Sequence, residues 1–431
     1  MDRISLSNLS PTAVNPRELV NRDADADWLR DGLTAWLRSP DPSAGGGFCV
    51  LGDKGIGKSI LTRRVIEDLR EVHAATTMFL LVDCRPLRNQ RDVYREAANQ
   101  LVEELVARRS DVPPALIAEA RVFDTLTRFD QVTLKHAHEQ LTQYKVSVDI
   151  GGSHSLVKWL DAKLGISLLR SSKSIEALEG SITVDGPRLH EGFVQLLHDI
   201  TRHSIKQDEP LRVVLYLDNI EELRHEALNK DEAREAVRAD VEALLHLSEA
   251  PLGLVLNMRT YYSSVLTRRI SKRRTLGRMP DAEQRAIFER RMAGEDPRDQ
   301  ARVRASEAVA TAIDKLADLA RTPLAFLTWA EFILDEGLYD QDDMARALTR
   351  RLGSHYSTVA RYIPTVAALF SDPGALVDAE TVREACGGND SIYRQLIDQQ
   401  VLLPHNYWDP REFSIDPELG FLVGREDLAA G

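Results

Sequence analysis

The segment Gly52-Asp53-Lys54-Gly55-Ile56-Gly57-Lys58-Ser59 carries the pattern G-x-x-x-x-G-K-S. Glycines at this spacing let successive backbone N–H groups turn toward one point, a way to cradle phosphate oxygens. Lys58 adds a point charge for the β- and γ-phosphates of a nucleotide, and Ser59 a hydroxyl for Mg2+. Phe48 to Leu51 ahead of the loop reads as a short buried strand, and the stretch from Ser59 through Ile60 to Arg70 as a helix. The positive end of that helix dipole faces the same anion. The metal needs an acid as well. Asp218 ends the apolar run Val213-Val214-Leu215-Tyr216-Leu217, and ligands sit at the C-terminal ends of strands in open parallel sheets. Asp218 is therefore read as the carboxylate on the Mg2+ side, through water or through Ser59. Glu221 and Glu222 follow it, and either could polarise an attacking water as general base. Asn257 and Arg259 end another apolar stretch, which predicts a polar pair at a strand end beside Asp218.

These groups need a scaffold, and the pattern around them predicts one. Leu29, Leu33, Trp36 and Leu37 fall at helical spacing from Asp27 to Arg38. Short apolar runs at 48–51, 76–83, 213–217 and 252–256 alternate with helical stretches at 59–70, 91–109, 188–203 and 233–247. Buried strands alternating with helices give an α/β fold: a parallel sheet with helices on both faces. Residues 110–187 interrupt the alternation and read as an insertion, with period-two patterns at 145–150 and 181–184. Beyond 281 the strands stop, and four helices are expected at 283–292, 302–319, 324–335 and 342–351. From 356 onward, helices near 358–371, 378–386 and 391–401 precede two apolar pieces, Val401–Leu403 and Phe421–Val423. That order suggests a winged helix. The expected domains are a nucleotide-binding unit (1–280), a helical lid (281–353) and a winged-helix domain (354–431).

The 431 residues leave ample room for several cores. With 43% hydrophobic and 28% charged residues and a net charge of −12, the chain reads as a globular protein without a general polyanion-binding surface. Three cysteines (Cys49, Cys84, Cys386) form neither a disulfide framework nor a metal pattern, and no leader pattern opens the chain. A cytoplasmic location without membrane association is expected.

The phosphate loop, the acid strand and their order resemble P-loop NTPases of the AAA+ and STAND groups. Gly52 to Ser59 looks like their Walker A, and Leu215-Tyr216-Leu217-Asp218-Asn219-Ile220-Glu221-Glu222 like their Walker B. Asn219 departs from the common AAA+ Asp-Glu pair and is closer to the version in STAND and origin-initiator relatives. Leu19-Val20-Asn21-Arg22-Asp23 is similar to the entry motif against the nucleotide base, with Asn21 where glycine is usual. Leu254 to Arg259 is similar to the sensor-1 strand, which implies that Asn257 and Arg259 monitor the γ-phosphate. Arg321-Thr322-Pro323-Leu324 resembles the segment whose arginine reads the γ-phosphate and whose proline lies by ADP. Arg268, Arg269, Arg273 and Arg274 lie where AAA+ rings place an arginine that reaches a neighbour's nucleotide.

The resemblance implies an ATP/ADP- and Mg2+-dependent switch, slow in hydrolysis, that assembles as a homo-oligomer with ATP and acts with a separate effector or sensor protein. A role in bacterial conflict or defence fits by analogy. Two rivals stand beside it: a DNA-associated ATPase of initiator or transposition-regulator type, and a nucleotide-binding scaffold without turnover. The helix Ser391–Gln400 holds one arginine and one aspartate, and the wing is acidic. That charge balance favours docking on the nucleotide domain over DNA.

Overall fold

The structure, a computed structural model, describes residues 22–41, 43–128, 131–133, 181–204, 210–225, 230–266, 269–320, 322–340, 347, 351, 356, 358–372, 374–406 and 410–423. In chain order the first unit runs α1 (Asp23–Leu37), β1 (Gly46–Leu51), α2 (Lys58–His73), β2 (Thr77–Asp83), α3 (Gln90–Ala107) and α4 (Pro114–Thr127). It continues with β3 (Gln131–Thr133), β4 (Ser181–Thr183), α5 (Gly186–Ser204), β5 (Arg212–Asp218), α6 (Lys230–Leu245), β6 (Gly253–Met258) and β7 (Lys272–Thr275). The main sheet has the order β2-β5-β6-β1-β7, with every neighbouring pair parallel. β6 therefore lies between the strand that feeds the phosphate loop and the strand that ends in Asp218.

Strand alternation sends side chains to two cores. Phe48, Val50, Val214, Tyr216 and Val255 face α1 and α2, where Leu29, Leu33, Leu61 and Val65 pack. Cys49, Leu51, Leu215, Leu217, Leu254 and Leu256 face the other side, against α3, α4, α5 and α6. Both faces are covered, so β5 is buried at every residue and reads as one apolar run.

The two sheet edges differ. On β2, Arg212 N donates to Thr76 O, so alternation turns the groups of Thr77, Phe79 and Leu81 outward. Side chains meet them. The Gln100 amide donates to Leu81 O (2.8 Å) and accepts from Leu81 N (2.7 Å). Arg70 donates to Phe79 O (2.9 Å), and Arg108 to Thr77 O (2.8 Å). The opposite edge, β7, is exposed along Lys272-Arg273-Arg274-Thr275. Sequence reading took these residues as a basic cluster rather than a strand; charge on an edge strand hides its pairing while deterring other strands.

The second unit comprises α7 (Asp281–Met292), α8 (Pro297–Ala305), α9 (Glu307–Leu319) and α10 (Pro323–Glu336). The single helix expected over 302–319 is two, because Ser306 leaves the helical region and caps α9 by accepting from Val309 N. The buried Gln284 amide donates to Ala317 O and Ala320 O (3.3 and 2.9 Å), tying α7 to the end of α9. The third unit holds α11 (Ile363–Ala367), β8 (Val377–Asp378), α12 (Ala379–Ala385), α13 (Asp390–Asp398), β9 (Leu402–Pro404) and β10 (Glu412–Ile415), with the antiparallel order β8-β10-β9. This is a winged helix. Its hairpin returns on 412–415, not on Phe421–Val423: Phe413 and Ile415 alternate inward, while Asp416 and Pro417 start a 3-10 turn over Pro417–Leu422. The lid and the wing share one core, with Phe288, Phe326 and Trp329 clustered together with Phe370, Leu396 and Phe413.

Within the stretch 110–187, α4 belongs to the sheet's own core through Leu116 and Phe123, and β3 pairs with β4. The pattern at 145–150 and most of the helix expected at 342–351 lie outside the described residues, as do Tyr407 and Trp408 of the wing. No described helix is long and apolar enough to cross a membrane.

Candidate functional site

Gly52–Gly57 joins β1 to α2 as a loop with positive φ at Gly52, Gly55 and Gly57. Two of these glycines are required for different reasons. Nothing lies within 4 Å of a Cβ built on Gly57, so its φ of 104° alone excludes other residues. At Gly55 (φ 76°) a Cβ would also fall 2.4 Å from Leu324 Cβ. Leu324 N donates to Gly55 O at 3.3 Å, so the first turn of α10 is seated on the phosphate loop. Thr322 caps that turn by accepting from Ala325 N, and Pro323 takes the first helical position, where its missing N–H costs nothing. Arg321 lies outside the described residues.

Lys58 is buried and folded back on the loop, donating to Gly52 O (2.8 Å) and Asp53 O (2.9 Å). Burial lowers its pKa, against the pull of Glu221. The Ser59 hydroxyl donates to Asp218 Oδ1 at 2.9 Å. That pair, a hydroxyl and a carboxylate at the loop's helix mouth, fits a divalent cation of the oxygen-preferring kind. Ile60 is partly buried against the α1–α2 core.

Asn257 is fully buried and bonded on both sides of its amide. Oδ1 accepts from Thr62 (2.9 Å); Nδ2 donates to Tyr216 OH (2.6 Å) and to Asp218 Oδ1 (3.2 Å). In this conformation it orients the Asp218 carboxylate and does not face open space. Tyr216 and Thr62 complete this network and were not singled out from the sequence. Their signal was a hydroxyl on an otherwise aliphatic strand and another on the buried face of α2.

Arg259 gathers four partners. Its backbone N donates to Glu221 Oε1 (3.1 Å), and its guanidinium reaches Glu221 Oε1 (3.6 Å), Glu222, Tyr261 OH (2.7 Å) and Gln400 Oε1 (3.2 Å). Burial opposes its charge, but Tyr261, Glu222 and Glu221 outweigh this and raise its pKa. Glu221 is buried, with Oε2 lacking a hydrogen-bond partner; burial raises its pKa while Arg259 and Lys58 oppose. Asn219, at φ 54°, bends the chain after Asp218 and donates to Asp83 Oδ1 at 3.2 Å.

Arg22 lies on the other flank. Its guanidinium donates to Gly277 O (2.7 Å) and pairs with Asp25 (3.4 Å). Gly277 follows Leu276, whose N bonds Leu51 O, so Arg22 borders the cradle. Of the basic cluster, Arg269 pairs with Glu249, Arg274 with Asp25, and Arg273 donates to Leu266 O and Ile270 O. Arg268 lies outside the described residues.

The wing closes over this site. Glu418 pairs with Lys54 at 3.5 Å, and a cleft of about 170 Å³ runs from Asp53 and Tyr261 to Leu403, His405 and Ile415. Asp416 is buried beside it, accepting from Glu418 N at 2.7 Å. Burial, then Glu418, push its carboxyl up to about 6, against Lys54. The unfolded value is about 3.9. The fold thus prefers the protonated form, a stabilising contribution present in full below about pH 4 and lost as pH rises through about 6. Asp416→Asn keeps the acceptor for Glu418 N and removes the charge. Unfolding free energies from urea titrations are expected to match wild type at about pH 3.5 and to exceed it at pH 7.5 by about 2–3 kcal/mol. A variant less stable at both pH values would refute this reading of Asp416.

No family model matches the chain, and no curated protein matches it. Among solved structures it is similar to the Aeropyrum pernix ORC1 protein in complex with DNA, with 13% identity, 98% of this chain and 97% of that chain covered, and a TM-score of 0.42. It is similar to Drosophila ORC bound to DNA, with 14% identity, coverage of 96% and 88%, and a TM-score of 0.41. It is also similar to Cdc6p from Pyrobaculum aerophilum, with 15% identity, coverage of 99% and 97%, and a TM-score of 0.39. The fold itself is a P-loop α/β domain with a parallel sheet covered on both faces, followed by a helical lid and a winged helix.

Proposed function

We propose that the chain is an ATP-binding, ATP-hydrolysing molecular switch of the AAA+ type. One observation carries this reading: the loop Gly52–Ser59 opens α2, places Lys58 inside it, and sets Ser59 against Asp218 across the sheet. Backbone N–H groups and the helix dipole would hold the phosphates, and Lys58 would leave its two carbonyls for phosphate oxygens. Mg2+, held by Ser59 and Asp218, would supply charge neutralisation across the β- and γ-phosphates. Asn257 and Tyr216 hold Asp218 in place, Glu221 orients water as general base, and Arg259 answers to the γ-phosphate. Arg22 and Pro323 border the nucleotide. Glu221 is chosen over Glu222 because it is the buried one and the first carboxylate that acts on the Lys58 ammonium.

The switch reading adds ATP-favoured self-assembly, control of a separate effector and a STAND-like resting form, with the contacts Lys54–Glu418 and Arg259–Gln400 as its support. The second reading is a DNA-associated ATPase of initiator type. Two of the solved structures similar to this chain are complexes with DNA, which accords with this second reading. The exposed face of α13 offers Arg394 between Asp390 and Asp398, too little positive charge to favour DNA by itself.

Titration with a fluorescent ATP analogue and phosphate-release assays, with and without Mg2+ and duplex DNA at 50 and 200 mM salt, test both. Saturable binding with Mg2+-dependent release is expected. Turnover stimulated by DNA, with a steep salt dependence, selects the second reading; a mass that rises with a non-hydrolysable ATP analogue in light scattering selects the first. Absence of binding removes both.

A further inference from the structure

Among the described residues, two besides glycine have a positive φ: Asn219 (54°) and Gln400 (61°). Both adjoin one node. Asn219 follows Asp218 and precedes Glu221; Gln400 reaches Arg259, which holds Glu221. Gln400 stands just past the C-cap of α13, where the left-handed turn normally takes glycine. The helix end needs nothing from its side chain: Gln400 N donates to Ile397 O (3.0 Å) and Val401 N to Leu396 O (2.9 Å), so backbone alone completes the cap. The cap uses the left-handed backbone but not the glutamine side chain, and a side chain kept where glycine would cost less points to a role elsewhere. The Gln400 side chain instead crosses to the nucleotide domain and accepts from the Arg259 guanidinium at 3.2 Å.

We propose that Gln400 is a positioning residue: it holds Arg259 over Glu221 and Glu222 while the wing is docked, so that the water-orienting carboxylate stays occupied until a γ-phosphate competes for the arginine. The inference rests on the ATPase reading above. It makes docking of the wing and restraint of the base one event. Glu221 has Oε1 taken up by Arg259 and Oε2 buried without a hydrogen-bond partner, which leaves no exposed oxygen for water. An anion that draws the guanidinium away loosens Gln400 in the same step, because one side chain serves both contacts.

Two variants separate this from a structural role. Gln400→Gly suits the left-handed turn better than glutamine, so its melting temperature should equal or slightly exceed wild type. Cutting the link should raise kcat for phosphate release about fivefold and lower KM, because the γ-phosphate no longer competes with Gln400 for Arg259. Gln400→Glu places a charge on Arg259 and should lower kcat below wild type while still folding. Zero-length carbodiimide cross-linking of Lys54 to Glu418 reports the docked wing; its yield should fall in Gln400→Gly and rise in Gln400→Glu. If wild type fails to bind labelled ATP, the ATPase reading falls and takes this inference with it. If wild type binds and hydrolyses ATP but both variants match its kcat, or Gln400→Gly is slower or melts lower, only the inference is overturned.

Discussion

Replacing Lys58 by alanine should weaken ATP binding by about two to three orders of magnitude while the chain still folds. The ammonium is buried and donates to two loop carbonyls, Gly52 O and Asp53 O. Those bonds hold the loop in shape without ligand, and phosphate oxygens would replace them on binding. Two charge-assisted hydrogen bonds contribute about 1.5–3 kcal/mol each, a combined ~3–6 kcal/mol; each 1.4 kcal/mol is tenfold in affinity, and giving up the two loop carbonyls brings the net toward the lower end. Removing the side chain leaves the two carbonyls to water that can enter at the loop, so the cost to stability should stay below about 2 kcal/mol. Titration of a labelled ATP beside a thermal melt distinguishes the two effects. Retained affinity would mean that the cradle does not grip a triphosphate.

The second large effect belongs to Glu221. Glu221→Gln keeps the shape and an acceptor for Arg259 N but removes a base. General-base catalysis contributes about 10²–10⁴-fold, so phosphate release should fall at least a hundredfold with nucleotide affinity nearly intact. Glu222→Gln should cost less than about tenfold, because that carboxylate is only partly buried and serves mainly as a partner of Arg259. Single-turnover release by the two variants and wild type makes the comparison. Equal losses would leave the base unassigned; a greater loss in Glu222→Gln would reverse the assignment.

How much of this was legible beforehand varied with the physics involved. Gly52 to Ser59 announced itself because a backbone cradle constrains residue type directly: Gly55 and Gly57 are fixed by φ and by the approach of Leu324. Asp218 was legible because a carboxylate ending a wholly apolar strand has few other reasons to be there. β7 escaped because an exposed edge strand carries neither alternation nor an apolar run. The strand of the wing at 412–415 escaped because Phe413 and Ile415 alternate over only four residues, while Phe421–Val423 offered a longer apolar run that proved to be a 3-10 turn. The sequence marked Asn257 for the strand end, but its bonds to Thr62, Tyr216 and Asp218 are tertiary and have no local pattern. Gln400 was invisible for a similar reason. A glutamine at a helix end is ordinary until its φ and its partner 141 positions away are known.

The sealed rim of β2 bears on how this chain can meet others. A strand arriving from solution would first have to evict the Gln100 amide and the Arg70 and Arg108 guanidiniums from Leu81, Phe79 and Thr77. It would gain backbone bonds only by breaking as many that already exist. Growth of the main sheet from that border is thus nearly neutral in hydrogen bonding and opposed by the loss of two anchored cations. Self-association by sheet extension is steered away from β2, and contacts between copies should instead form through helices, loops or the wing.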